Sequence, residues 1–295
     1  MRLTIFTPTY NRAKLLHRLY NSLLQQSNKD FQWLIIDDGS TDFTNKLVRK
    51  WQNEQNISIK YIYKKNEGKY KAYNLAIKIA TSDLFFCVDS DDYLTPESIQ
   101  TILYFWDKNR MNNISGIIGM KVNTKGERLG LKFPDNIKLC SLFKLNNKYK
   151  CKGEYSLIYD LNILKKYRFP EIESEKFITE SVLYDQIDRE HEMILLNEAL
   201  TICEYQNNGY SSNLIDILWE NPIGFKIYYS QRIDMDGSII DKVIYMLKYH
   251  IFDAISKENT HFYDGKYKNI VKILKPIGYL SYILYFMKKR IVYEK

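Results

Sequence analysis

The sequence has few cysteines, and none lies where a disulfide framework or a zinc site would need it. Its 295 residues contain four widely separated cysteines and no CxxC pair: Cys87, Cys140, Cys151 and Cys203. This usage is typical of reduced thiols in a cytoplasmic chain. Residues 1–12 carry only a short apolar run before a proline, which is not typical of a signal peptide. No apolar run reaches the ~18 residues that a membrane-spanning helix requires.

Glycine and proline are also scarce, at 12 and 6 residues, which excludes collagen-like and disordered chains. The hydrophobic share of 45% and the charged share of 26% are those of a globular protein. A chain of this length buries a proper core as one large or two modest domains. Neither GxGxxG nor GxxxxGKS/T occurs, so the sequence has no dinucleotide fingerprint and no P-loop.

Positive charge and tyrosine are what the sequence has in excess. Lysine and arginine number 43 against 35 aspartates and glutamates, a net charge of +8. This charge favours an anionic partner, which could be nucleic acid, a phosphorylated substrate or an acidic membrane surface. The 25 tyrosines are compatible with sugar stacking or a membrane interface, although packing in the core is the commoner use.

Short apolar runs alternate with helical patterns in the first hundred residues. Strands are predicted at 3–6, 33–36, 57–63 and 84–88. Helices are predicted after Asn11 as a cap, from 41 or 42, after Gly68, and from the Thr95–Pro96 cap to about 109. Alternation of this kind predicts an α/β fold with a mostly parallel sheet flanked by helices.

The rhythm changes after residue 115. Strand-like segments at 116–122, 155–159 and 199–205 are mixed with loops, a helix is predicted at 180–189, and the last sixty residues are mainly helical. We therefore expect a nucleotide-binding half at 1–115, an acceptor-side half at 116–212, and a basic, aromatic helical region at 213–295.

Polar clusters follow the predicted strands, at residues 8–11, 37–40, 66–69 and 89–92. Ligands of an open parallel sheet bind beyond the carboxyl ends of its strands, so these clusters are expected at one edge. Asp89 and Asp91 offer hard oxygen ligands for Mg²⁺ or Mn²⁺, although an acidic turn before a helix has the same appearance. Asp38 could accept from a nucleobase or a ribose, and Lys69, near a helix start, could hold a diphosphate. Capping and solvated surface charge are the alternatives for these two residues.

The clusters, in this order, resemble the family 2 glycosyltransferases of the GT-A fold. The motifs that carry the resemblance are residues 8–12, 36–42, 66–69 with Ala72 and Asn74, and 88–92. The resemblance covers residues 1–110 strongly and 150–210 more loosely.

The resemblance implies a donor site for a UDP-sugar and an inverting transfer of a hexose-type sugar. Asp89 and Asp91 would hold Mn²⁺ or Mg²⁺ on the diphosphate. The nucleotide-sugar contacts would come from seven residues: Pro8, Tyr10, Arg12, Asp38, Gly39, Lys69 and Ser90. Single displacement requires a general base and a stabilised leaving group but no protein nucleophile. This agrees with the lack of an activated serine or cysteine.

Glu180, at the start of a predicted helix, is the expected general base, in the position where family members carry an acidic residue. Glu175 and Asp185 are alternatives, and Glu180 could instead be an ordinary first-turn carboxylate. The loop 204–211 resembles the later substrate-side loop of the family. This resemblance implies that Tyr210 or Ser211 contacts the diphosphate or the acceptor, and a plain hairpin turn is the alternative. His191 is a conceivable third metal ligand, although a surface histidine is the commoner case.

Residues 266–295 combine lysines with a run of about ten apolar residues, too short to span a bilayer. The segment could lie on an acidic membrane surface, or pack on the domain or a dimer partner. A membrane position agrees with a saccharide acceptor, lipid-linked, as in capsule, exopolysaccharide or teichoic-acid assembly. We therefore expect a peripheral enzyme at the inner face of the cell membrane, no nucleic-acid partner, and a possible homodimer.

Three other functions agree less well with the motifs. A phosphatase with Asp89 as nucleophile would need Thr or Val where Tyr93 stands. A sugar-phosphate nucleotidyltransferase would need a glycine-rich first loop, which residues 8–12 do not form. A non-catalytic basic protein that binds nucleic acid or membrane accounts for the charge but leaves the acidic loops unexplained.

Overall fold

The computed structural model describes residues 1–204, 214–256 and 260–293, with the side chains of 214–215 and 284–293 left out. The chain divides into two compact units. Unit 1 comprises Met1–Phe169 and Glu190–Gly209, and unit 2 comprises Pro170–Arg189 and Tyr210–Lys295. The expected boundary at 115 falls inside a strand of unit 1, and that at 212 lies outside the described residues.

Unit 1 contains nine strands and six helices within its described residues. In chain order they are β1 Leu3–Thr9, α1 Ala13–Leu24, β2 Phe31–Asp37, α2 Thr44–Glu54, β3 Ile59–Tyr63, α3 Lys69–Ile79, β4 Leu84–Cys87, β5 Tyr93–Leu94, α4 Ser98–Asn109, β6 Ile114–Asn123, β7 Leu139–Cys140, α5 Leu142–Asn147, β8 Tyr155–Asp160, α6 Leu161–Leu164 and β9 Glu192–Cys203.

These strands form one sheet in the order β3-β2-β1-β4-β8-β6-β9-β5, with β7 paired to β9. The first four strands are parallel, as predicted. The second half is mixed, because β8 is antiparallel to β4 and β6 whereas β9 is parallel to β6. The connection from β6 to β8, residues 124–154, contains one short helix, α5. A parallel neighbour would need a long crossover, usually a helix, whereas an antiparallel neighbour does not.

The helices of unit 1 cover the sheet with the apolar faces that the sequence predicts. Leu16, Leu19 and Leu23 of α1 are fully buried against β1 and β2 residues of the main core cluster. Tyr20 stacks on Trp51 with ring centroids 4.2 Å apart. The aromatic residues in this layer therefore serve the core, which is the commoner use expected for them.

Two predicted helix caps are wrong. Asn11 has φ +53°, and the cap position of α1 is Arg12 instead. Thr95 does not begin α4 either, because its backbone N–H and hydroxyl donate to carbonyl oxygens of β9, at Leu200 and Ala199. The helix begins at Ser98, three residues later.

Unit 2 contains five helices within its described residues: α7 Ser181–Asp188, α8 Leu214–Glu220, α9 Pro222–Asp234, α10 Ile239–Ser256 and α11 Lys268–Tyr293. Helix α7 confirms the predicted helix at 180–189. A small core joins α9 to α11 through Ile233, Met246 and Val271. Among the described residues, no helix is both long and apolar enough to cross a membrane.

Candidate functional site

The loops after β1, β2 and β4 lie at one edge of the sheet, because these strands run parallel in register. The predicted donor-site residues of unit 1 stand at the ends of these strands, in the loops that follow them, or at the start of α3. The strand pattern therefore brings the four polar clusters together as expected.

Asn11 fastens the first two loops to each other. Its side-chain Oδ1 accepts from the backbone N–H groups of Thr41 at 2.8 Å and Asp42 at 3.3 Å. In return, the Asn11 N–H donates to Ser40 Oγ, and the Ala13 N–H donates to Asp42 Oδ2. Asn11 adopts its left-handed conformation here, which asparagine tolerates better than most residues. Asn11, predicted as a helix cap, thus holds the first two loops together by hydrogen bonds.

Asp37 and Asp38 organise the second and third loops. Asp37 accepts from the Ser40 N–H and the Tyr61 hydroxyl. Burial and the neighbouring Asp37 raise the pKa of Tyr61, so the phenol stays a donor. The Asp38 carboxylate is buried and accepts from Lys64 Nζ at 2.7 Å and from two backbone N–H groups of residues 67 and 68. The predicted contact of Asp38 with a base therefore competes with three protein donors.

Gly39 lies between these carboxylates with φ +88°. A Cβ added there would come 2.8 Å from the backbone nitrogen of Asn66. Only glycine fits this contact without a shift of the third loop. Gly39 therefore shapes the loops, as well as lying where the resemblance expects a nucleotide contact.

Two residues at the end of β1 differ in their access to a ligand. Pro8 is buried within the strand, opposite Ile36 of β2. Tyr10 is 47% exposed. Of the two, only Tyr10 offers a ring surface on which a nucleobase could stack.

The acidic loop after β4 is held by a cation at each of its three carboxylates. Lys69 Nζ lies 2.6 Å from Asp89 Oδ1, and Arg12 Nη1 lies 3.9 Å from Asp91 Oδ2. Lys121 Nζ lies 2.9 Å from Asp92 Oδ2. Lys121 was not predicted from the sequence, although a single lysine within the apolar strand β6 is a signal that could have identified it.

The pKa values of Asp89 and Asp92 are shifted in opposite directions. Partial removal from water by itself would raise the pKa of Asp89, but Lys69, Lys121 and Arg12 together hold that pKa below its ordinary value. Burial raises the pKa of Asp92, against the attraction of Lys121. Burial also raises the pKa of the Cys203 thiol. Asp89 is thus ionised at neutral pH and Cys203 is an inert thiol.

The residues present fit a divalent cation that shares its coordination with a substrate. Asp89 and Asp91 are 40% and 27% exposed, so their oxygens are accessible to a ligand. Within the described residues, no group of three or more histidines, cysteines and carboxylates is close enough to hold a metal. Two carboxylates alone suit Mg²⁺ or Mn²⁺, which usually keep positions for water and phosphate. Ser90, between them, is buried.

His191 is not placed as a metal ligand. It is buried in unit 1, with Nδ1 3.2 Å from the Asn113 carbonyl oxygen and Nε2 3.1 Å from the Tyr167 hydroxyl. Both ring nitrogens are engaged in structural hydrogen bonds. The alternative prediction of a surface histidine is wrong as well, because the side chain is buried and both of its ring nitrogens have hydrogen-bond partners.

The candidate bases lie in unit 2, and two of them have structural roles there. Glu175 is buried and accepts from the N–H groups of Ile223 and Gly224, at the start of α9. Asp185 is buried against Arg232 Nε at 2.5 Å. Burial raises the pKa of Asp185 to about 6, against the attraction of Arg232. Glu180 is partly exposed at the start of α7. Tyr210 and Ser211 lie outside the described residues.

Comparison with known proteins agrees with this arrangement. Poly(ribitol-phosphate) beta-N-acetylglucosaminyltransferase TarS of Staphylococcus aureus strain Mu50 is 33% identical over 129 residues, which is 43% of this chain and 22% of TarS. The chain thus matches less than a quarter of the length of this curated relative.

Two solved structures show the same fold at low sequence identity. The S. aureus TarS 1–349 complex with UDP-GlcNAc has a TM-score of 0.60 at 20% identity, with 86% of this chain and 72% of that chain covered. The mannosyltransferase PcManGT of Pyrobaculum calidifontis, in complex with GDP-Man and Mn²⁺, has a TM-score of 0.56 at 14% identity, with 96% and 80% covered. The expected GT-A fold is therefore confirmed.

The family model for glycosyl transferase family 2 matches residues 4–162, which is more than half of the chain. This segment contains the clamped loops and the acidic loop described above. With the fold and the ordered motifs, this match shows that the chain belongs to glycosyl transferase family 2.

Proposed function

We propose that this chain transfers a hexose-type sugar from a UDP-sugar to a saccharide acceptor with inversion at the anomeric carbon. The observation that carries the proposal is the acidic loop, where Asp89 and Asp91 are partly exposed and face Lys69 and Arg12. Such a set suits a metal-bound diphosphate. The TarS complex with UDP-GlcNAc makes that sugar nucleotide the first donor to test.

The chain's own residues would divide the work as follows. Tyr10 stacks on the base, and Lys69 and Arg12 contact the diphosphate once they leave their carboxylates. A divalent ion held by Asp89 and Asp91 would supply positive charge that stabilises the leaving diphosphate. The remaining predicted nucleotide contacts are those of Pro8, Asp38, Gly39 and Ser90. The buried residues among them would act indirectly, by fixing the conformation of the loops that contact the nucleotide.

In the transfer itself, the acceptor hydroxyl oxygen bonds to the anomeric carbon as the bond from that carbon to the diphosphate oxygen breaks. UDP leaves with the electron pair, and the hydroxyl proton passes to Glu180 as general base. The difference in burial supports the choice of Glu180, because it is partly exposed at the start of α7 whereas Glu175 and Asp185 are buried.

The acceptor is proposed as a saccharide, lipid-linked, of the capsule, exopolysaccharide or teichoic-acid class, with the enzyme peripheral at the inner face of the membrane. TarS is named for poly(ribitol-phosphate), so that polymer is the first acceptor to test.

Turnover of Glu180→Gln tests the proposal. With UDP-GlcNAc, Mn²⁺ and poly(ribitol-phosphate), we expect kcat to fall roughly 10²–10⁴-fold, the range of a lost general base, with donor affinity unchanged. Glu175→Gln is the matched control, because it should lower the melting temperature and leave kcat close to wild type. Full turnover by Glu180→Gln would exclude Glu180 as the base. A product with retained configuration at the anomeric carbon, by NMR, would exclude single displacement.

A further inference from the structure

Helix α11 of unit 2 exposes a continuous apolar stripe. Five side chains, spaced three or four residues apart, are 48–74% exposed: Ile270, Ile273, Ile277, Leu280 and Ile283. This spacing places them along one side of the helix. The opposite side packs inward, with Val271 buried and Leu274 against the small core of unit 2. The stripe is therefore additional to the face that holds the helix in place.

The charges of α11 are all of one sign. Between residues 268 and 293 the sequence has six lysines and arginines and no carboxylate: Lys268, Lys272, Lys275, Lys288, Lys289 and Arg290. Two of them have acidic neighbours outside the helix, since Lys268 pairs with Asp264, and Lys275 lies 3.9 Å from Asp253. Lys272 is exposed within the first turns of the helix.

From this combination we infer that the α11 stripe, defined as Ile270, Ile273, Ile277, Leu280 and Ile283, docks on an anionic lipid bilayer. The inference rests on the membrane position in the proposed function and names the surface that makes the contact. Exposed isoleucines enter the acyl boundary while lysines meet the headgroups, as in helices that lie in the membrane plane. Charge complementarity selects this occupant over a second copy of the chain, because pairing two α11 helices would bring twelve cations together without a carboxylate from either helix.

Vesicle co-sedimentation of the full chain tests the inference without donor or acceptor. We expect binding to equimolar phosphatidylglycerol and phosphatidylcholine, little binding to phosphatidylcholine alone, and loss of binding as salt is raised. Ile273→Glu should weaken binding roughly tenfold or more, since one isoleucine leaves the lipid and a repulsive charge enters.

Ile240→Glu is the matched control. Ile240 is 73% exposed, like Ile273 at 74%, but it lies at the start of α10 beside Asp241. It should bind vesicles within about twofold of wild type. Both variants should keep the wild-type melting temperature, because neither side chain is in the core.

Three results would overturn the inference: no binding of wild type to the anionic vesicles, an equal effect of both substitutions, or a wild-type dimer that Ile273→Glu dissociates while vesicle binding is unchanged. The last result, from sedimentation velocity without lipid, would assign the stripe to a second copy. The sugar transfer to a soluble acceptor should be the same in Ile273→Glu and wild type, so a failure here is distinguishable from a failure of the proposed function.

Discussion

Replacing Lys69 with methionine tests how the acidic loop is held before any ligand binds. Lys69 Nζ lies 2.6 Å from Asp89 Oδ1, and the two side chains are 23% and 40% exposed. A divalent cation that takes Asp89 Oδ1 as a ligand therefore displaces this ammonium group. Removal of Lys69 removes the competitor, while it also removes a cation that the diphosphate would contact.

The size of the effect follows from the exposure of the pair. A salt bridge this accessible to water contributes about 1 kcal/mol, which corresponds to about a fivefold change in affinity. We expect Lys69→Met to bind Mn²⁺ about fivefold more tightly than wild type when no nucleotide is present. The same variant should bind UDP about tenfold more weakly in the presence of Mn²⁺, the loss typical of a charge-assisted hydrogen bond. Opposite changes for the two ligands are the signature of counter-ion exchange.

Isothermal titration calorimetry measures both affinities on the same protein. Lys71→Met is the matched control, because it removes one positive charge two residues along α3, at a side chain whose described ring contact is with Tyr70. It should change neither affinity by more than about twofold. Weaker or unchanged Mn²⁺ binding by Lys69→Met would refute the exchange, since the ion pair would then not oppose the metal.

Two further predictions concern stability. Gly39→Ala should destabilise the protein by about 1–3 kcal/mol in denaturant unfolding, because φ is +88° and the new Cβ would meet the Asn66 backbone. Gly126→Ala, with φ +79° and open space around it, should cost less, so an equal cost would rule out the steric contact. The pKa of Asp185 is raised to about 6 by burial, so the native state binds its proton more tightly than the unfolded chain, and stability from this group falls as pH rises from about 4 to 6. In wild type, the free energy of unfolding should therefore fall by about 3 kcal/mol over this pH range because of Asp185, and in Asp185→Asn this part of the fall should be absent. The same pH profile of unfolding in both proteins would contradict the raised pKa.

The sequence predicts well where the four polar clusters lie, because the signals are local. Apolar runs that alternate with helical patterns specify parallel strands, and polar residues at the strand ends must then meet at one edge. Asp89, Asp91 and Lys69 follow from this rule together with the family resemblance. Tyr10 also lies at this edge and is exposed, so the proposed stacking on a base stays a prediction.

The contacts that hold the site together were not predictable in the same way. The cap prediction for Asn11 failed because its true partners, Thr41 and Asp42, lie thirty residues along the chain. Lys121 lies on β6 and pairs with Asp92 in the loop after β4. No local pattern specifies which long-range donor satisfies a given carboxylate. The antiparallel course of β8 has the same origin, because strand direction in the second half depends on connections rather than on periodicity.

The sequence alone could not distinguish among the three candidates for the general base, as the structural role of Glu175 illustrates. In the sequence, Glu175, Glu180 and Asp185 are carboxylates at five-residue intervals around one predicted helix start. The structure separates them, because Glu175 binds the start of α9 and Asp185 pairs with Arg232. Only the tertiary packing of unit 2 distinguishes a structural carboxylate from one that remains a candidate for proton transfer.

The most direct test of the central claim is the affinity of UDP-GlcNAc for wild type and for Asp91→Asn, by calorimetry, with Mn²⁺ and with a chelator. The variant keeps the size of the side chain and removes its charge, so the fold should be preserved. We predict binding by wild type that requires Mn²⁺, and at least a tenfold loss in Asp91→Asn. Binding of equal strength in all four measurements would contradict a metal-assisted donor site at Asp89 and Asp91, and an absence of binding by wild type would contradict UDP-GlcNAc as the donor.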